Sequence, residues 1–192
     1  MRWFVLILGC AAPCLGAGVR VLFEPASRQV GPFPTDFLTV ADAAQKTGLR
    51  VNLPECAEPC PEVALLNQLD GFHILARVNV RFSAAVNLDT LRDGIKLVAL
   101  DNLTQEEFGL NKAGDVIPIN QVVYDPNTNT AYAKPDDILD QHRRYLVVVT
   151  GAVRDQAGAP VEEDPAFRNC LERGESAYCA ALAQALERAA PA

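Results

Sequence analysis

Between positions 72 and 82 apolar side chains recur with a period of two. Phe72, Ile74, Val78, Val80 and Phe82 fall on one side of an extended chain, and His73, Arg77, Asn79 and Arg81 on the other. A strand with one buried and one solvated face produces this pattern, because successive Cβ atoms point to opposite faces. Further strands are expected at 95–100, 116–119, 121–124, 131–133 and 143–150, with turn-rich segments between them. Asp125, Pro126, Asn127, Thr128, Asn129 and Thr130 form an expected hairpin tip, where proline presets φ and the Asx side chains bond their own backbone. Strand follows strand with no helix-length insert. Parallel neighbours need such an insert, so residues 72–161 are expected to form an antiparallel β-sandwich in a mainly β protein.

The flanks read differently. Residues 17–71 form an expected N-terminal, loop-rich extension, since Pro25, Pro32, Pro34, Pro54, Pro59 and Pro61 interrupt every candidate element. Short strands fit at 19–23 and 49–53. Asp42 and Gln45 have capping-box spacing for one helical turn stopped by Gly48, and a short helix is expected from Pro61 to before Gly71. After Val161 the period becomes helical, and residues 162–192 are expected to form a helical hairpin. Asp164 caps a first helix over 166–173, which Gly174 ends; Ser176 caps a second whose apolar stripe runs Tyr178, Leu182, Leu186.

Residues 1–16 carry export chemistry: Arg2, an apolar run from Trp3 to Leu8, then Cys14-Leu15-Gly16 as a small-x-small cleavage site. The mature chain is expected to begin near Ala17. Pro13 and the glycines break the run before it reaches the length of a transmembrane helix. Ile7-Leu8-Gly9-Cys10 offers a competing lipoprotein reading, with Cys10 acylated. Removing the leader leaves Cys56, Cys60, Cys170 and Cys179, an even count that in an exported chain reads as disulfides. Cys170 and Cys179 sit about equally far from the turn between the two helices, so antiparallel arms bring them face to face; Cys56 and Cys60 are expected to bridge locally. A four-cysteine zinc site is the competing reading, but C-x3-C and C-x8-C differ from the usual short knuckles.

The formal charge is −7, from 17 basic and 24 acidic residues, and Arg143-Arg144 is the only basic cluster along the chain. Nucleic acid is therefore not an expected partner, because a phosphate-reading surface needs concentrated cations. The inventory for catalysis is thin, with His73, His142, Ser27, Ser83 and Ser176. Both histidines read as solvated, one on the polar strand face and one in a turn. Asp125, Asn127 and Asn129 imitate the start of a calcium loop, but Thr130 stands where its glycine belongs and Asp136 where its glutamate belongs. The acidic clusters at 106–107, 136–137 and 162–164 are either calcium-holding or simply solvated, the second reading being favoured. No cofactor or metal is expected.

Tyr145-Leu-Val-Val-Val-Thr-Gly-Ala-Val-Arg-Asp-Gln-Ala-Gly-Ala-Pro160 resembles the last two strands of the bacterial Ig-like domains of S-layer and other envelope proteins, a Tyr-led strand followed by Val-Arg-Asp-x-x-Gly-x-Pro. Residues 72–83 and 87–94 resemble their opening strand and turn. The resemblance implies an Ig-like fold over residues 72–161. The phrases at 34–42, 47–54 and 66–72 resemble the N-terminal region of bacterial virulence-factor-type extracellular lipases, where Cys56 and Cys60 also resemble a cysteine pair. Members of that family continue into an α/β-hydrolase domain, and this sequence reaches Ala192 without one. The nearest string to a nucleophile elbow, Gly174-Glu175-Ser176-Ala177-Tyr178, lacks the second glycine and follows a helix where the elbow needs a strand.

Two functions follow as expectations. The first is an exported, non-catalytic Ig-like module, periplasmic or extracellular, acting in the envelope through a protein or envelope partner or as a spacer. The second is the front portion of a lipase or esterase whose hydrolase domain would be encoded downstream.

Overall fold

The computed structural model describes residues 18–55, 60–103 and 109–189. Nine strands and four helices follow in chain order among them: β1 (Arg20–Val21), β2 (Thr39–Ala41), β3 (Leu49–Val51), α1 (Pro61–Leu66), β4 (Val78–Arg81), α2 (Leu91–Gly94), β5 (Ile95–Asn102), β6 (Val116–Asp125), β7 (Thr130–Pro135), β8 (Arg143–Val149), β9 (Glu162–Glu163), α3 (Pro165–Arg173) and α4 (Ala177–Ala189). The leader, Cys10 and Cys56 lie outside the described residues.

Five antiparallel strands are hydrogen-bonded in the order β4-β7-β6-β5-β8. The two strands expected at 116–119 and 121–124 are one strand, β6. Its first residues pair with β5, and from Ile119 on it pairs with β7. The register slips between Asn120 and Val123, where Gln121 takes φ +45° and Arg77 donates to its carbonyl at 2.7 Å. Such a bulge bends a strand and strengthens its twist, so β6 passes from one layer of the sandwich to the other. The inward positions of both layers meet in one cluster, with Val78, Val80 and Phe82 against Ile95, Leu97, Ile117, Ile119, Ala131 and Ala133. Leu91, Val86 and Val153 close its ends.

The first expected strand is shorter than its alternation suggests. Only Val78–Arg81 pairs as a strand; Ile74 and Leu75 lie in a turn, and Phe72 belongs to a second cluster with Leu38, Val51, Leu53 and Val63. Gly71, just before Phe72, takes φ +131°, a backbone angle that L side chains rarely adopt. The Asp42 segment differs as well. Its carboxylate bonds the Ala44 amide at 2.9 Å in an Asx turn, while the Gln45 side chain reaches Gln68, so the segment closes the β2–β3 hairpin where a helical turn was expected.

β1 runs beside β4, with the Leu22 amide on the Arg81 carbonyl and the Ser83 amide on the Arg20 carbonyl, and it pairs in parallel with β9. Val19 and Val21 pack on the sandwich core. Asp164 caps α3 through the Ala166 amide, Pro165 opens it, and Gly174 at φ +58° ends it. The Cys170–Cys179 disulfide joins α3 to α4 with the α-carbons 5.2 Å apart. Closing a loop of this length removes on the order of 2 to 3 kcal/mol of unfolded-state freedom. α4 is seated through Tyr178, whose hydroxyl accepts from the Thr35 hydroxyl at 3.1 Å and whose ring meets Phe37 edge to face.

Candidate functional site

Each residue that chemistry would recruit has a structural partner. Ser176 Oγ accepts the Cys179 amide at 3.1 Å, a helix cap. Ser27 Oγ accepts the Val30 amide and Ser83 Oγ the Arg20 amide. His73 is exposed and its Nδ1 accepts the Leu75 amide at 3.0 Å. His142 takes φ +57°, and its Nε2 lies 3.9 Å from Asp70 Oδ2. That carboxylate already accepts from the Lys46 and Thr47 amides and the Thr47 hydroxyl. The serines and histidines thus sit in separate turns and caps, and no hydrogen bond joins one of these serines to either histidine among the described residues.

The hairpin tip uses its acids locally. Asp125 accepts from the Asn127 amide and the Thr128 hydroxyl, which hold its carboxyl below the usual carboxylate range, and Asn129 accepts from the Tyr124 hydroxyl. Asp136 accepts from Asn120, Glu163 pairs with Arg168, and Asp164 is the α3 cap. Residues 106–107 lie outside the described residues. Among the described residues no group of three His, Cys, Asp or Glu is placed to hold a metal ion, and no helix is long and apolar enough to cross a membrane. Cys60 is disulfide-bonded; its expected partner, Cys56, lies outside the described residues.

Arg143 and Arg144, the one basic cluster along the sequence, part company in the fold. They point to opposite sides of β8, Arg143 pairing with Asp140 at 3.2 Å and Arg144 with Asp36 at 3.1 Å. A different cationic group forms on the outer face of β4 and β7. Arg81 and Asn79 stand directly opposite Thr130 and Tyr132, while their neighbours Val78, Val80, Ala131 and Ala133 face the core. The loop before β2 folds over this face and brings Arg28, Gln29 and Phe33. An open cleft of about 300 Å³ lies between, also touching Thr128. Asn79 builds it: its Oδ1 accepts the Phe33 amide at 2.7 Å and its Nδ2 donates to the Arg28 carbonyl at 3.1 Å. Arg28 stacks over the Phe33 ring, 5.8 Å from the centroid.

Sequence reasoning missed this group because its members come from a loop and two strands far apart in the chain. The available signal was the alternation that put Asn79 and Arg81 on one face.

At the foot of β8 the Tyr145 hydroxyl accepts the Asp140 amide at 2.7 Å, and the Asp140 carboxylate accepts the Leu110 and Asn111 amides. A model of the bacterial Ig-like domain matches residues 65–168, just over half of the chain. The chain belongs to the bacterial Ig-like domain family. In an Ig-like frame the Tyr145 bond is a tyrosine corner, a phenol at the start of a late strand tied back to the backbone upstream. Asp155 and Gly158 complete the Ig-like ending: the Asp155 carboxylate accepts the Ala157 and Ala159 amides, and Gly158 takes φ +85°. The crystal structure of the S-layer protein rSbsC(31-844) is similar over 46% of this chain and 11% of its own, at 20% identity and a TM-score of 0.33. The chain thus spans about a tenth of that protein's length. No curated protein matches. The family match begins at Leu65 and does not reach the phrases at 34–42 and 47–54 that resemble a lipase front region.

Burial raises the phenols of Tyr145 and Tyr178 above their ordinary value near 10. A folded-state pKa above the unfolded one gives stability that is whole below about pH 10 and is lost as pH rises through the folded value. The urea midpoint should therefore hold to about pH 10 and fall beyond it. In a Tyr145→Phe/Tyr178→Phe variant it should be lower at pH 8 and fall less steeply above pH 10; an equal alkaline slope in both proteins would contradict this linkage.

Proposed function

We propose that the chain is an exported, non-catalytic Ig-like module that works in the cell envelope by protein contact or as a spacer. The observation that carries this reading is the use of Ser27, Ser83 and Ser176 as acceptors for backbone amides, with no hydrogen bond from any of them to a histidine among the described residues. Acyl transfer needs a nucleophile and a base within about 3 Å of each other, with donors aimed at the developing oxyanion. Membership of the Ig-like family and the Cys170–Cys179 disulfide support the same reading, the second because disulfides persist outside reducing compartments.

Intact-mass analysis after fractionation tests it. The expected species lies outside the cytoplasm, has lost residues up to about Gly16, and shows no free thiol when probed without reductant. A cytoplasmic species retaining Met1 and reactive thiols would overturn the reading, and acyl chains on Cys10 would replace cleavage near residue 17 with lipoprotein processing.

A further inference from the structure

The cationic cleft is unexpected in a protein of net charge −7. The arginine ion pairs among the described residues involve Arg50, Arg143, Arg144, Arg168, Arg173 and Arg188, so neither Arg28 nor Arg81 has a carboxylate partner there. Lys134 adds a further cation to this face, since its neighbours Ala133 and Pro135 are buried. The one acid at the adjoining hairpin tip, Asp125, is held by its own turn.

We propose that this cleft binds an acidic saccharide, with the carboxylate of a sugar acid held by Arg28 and Arg81 and the sugar ring against Tyr132. A guanidinium fork matches a planar carboxylate with two parallel hydrogen bonds. Exposed Gln29 supplies an amide for ring substituents. About 300 Å³ is at the small end of ligand pockets and suits one sugar unit.

An acidic peptide fits less well. Strand addition needs an open backbone edge, and on β4 that edge is taken. The Asn79 amide bonds the Phe33 carbonyl, and the Arg81 carbonyl accepts the Leu22 amide. Recognition here is left to side chains. The proposal stands apart from the contact-or-spacer reading, because a spacer needs no ligand.

Calorimetric titration of the purified full chain with tetragalacturonate tests the site, with neutral galactotetraose, inorganic phosphate and tetraglutamate as comparison probes. Tetragalacturonate is expected to bind one to one, more weakly as salt rises, and at least tenfold more weakly to Arg28→Gln. Tyr132→Ser should lose affinity for tetragalacturonate as well. Arg28 lies on a surface loop, so its variant keeps the test sound if an Arg81→Gln chain fails to fold; thermal melting checks each. The proposal is overturned by absent or non-saturable binding, by unchanged affinity in folded Arg28→Gln, or by equal binding of galactotetraose. Displacement by phosphate or tetraglutamate at equal concentration also overturns it, since the site would then be for a bare anion or a peptide.

Discussion

Phe82→Ala is expected to cost about 3 to 5 kcal/mol, the range for deleting a large aromatic from a packed core. Phe82 is 1% exposed and stands at the end of β4, where the strand meets β1 at Val21 and where its amide bonds the Asn129 carbonyl of the opposite hairpin. Removing the ring leaves a void in the core cluster that Phe82 shares with strands of both layers, which collapse cannot fill without moving them. Val123→Ala on β6 is the comparison, because Val123 is 57% exposed and should cost no more than about 0.5 kcal/mol. Urea unfolding of both variants checks the difference. Loss below about 1 kcal/mol for Phe82→Ala would mean that β4 is not part of the shared core.

The second large effect comes from adding an atom. A Cβ on Gly94, at the end of α2, would sit 2.6 Å from the Val153 amide nitrogen and 2.3 Å from its Cγ2. Val153 is fully buried, and its amide is bonded to Thr150, so the clash cannot be relieved by rotating a surface side chain. Gly94→Ala should therefore cost about 3 kcal/mol, the upper part of the usual range for overpacking a core. Gly151→Ala, whose Cβ would meet only Pro160 at 3.6 Å, should stay within about 0.5 kcal/mol. Equal midpoints for the two alanine variants would show that α2 and the β8–β9 connection are not in contact.

Local periodicity carried the sandwich. Strands β5, β7 and β8 lie where alternation and turn residues put them, because one face of each meets a core. Phe72 shows the limit of that reasoning. Its spacing from Val78 is consistent with one strand, yet its ring lies 5.3 Å from Phe33 in the second cluster. An alternating pattern says that a side chain is buried and does not say in which core. Asn79 illustrates another limit, since its place on the polar face was readable but its burial depended on Arg28 and Phe33, which only the fold brings there. The helical hairpin was legible for a different reason. Asp164, Pro165, Gly174 and Ser176 act within a turn or two of their own position, so capping chemistry needs no tertiary knowledge. The cationic cleft had no such local signal. Its arginines are isolated in the sequence, and only the loop fold and the β4–β7 register make them neighbours.

The non-catalytic reading rests on Ser176 being a cap with no hydrogen bond to His73 or His142 among the described residues. Ester hydrolysis by the purified full chain, with short-chain and long-chain p-nitrophenyl esters, tests that directly. The expected rate is that of buffer, and Ser176→Ala should change helix stability by about 1 kcal/mol without changing the rate. Turnover that survives repurification and disappears in Ser176→Ala would contradict both the cap and the non-catalytic function.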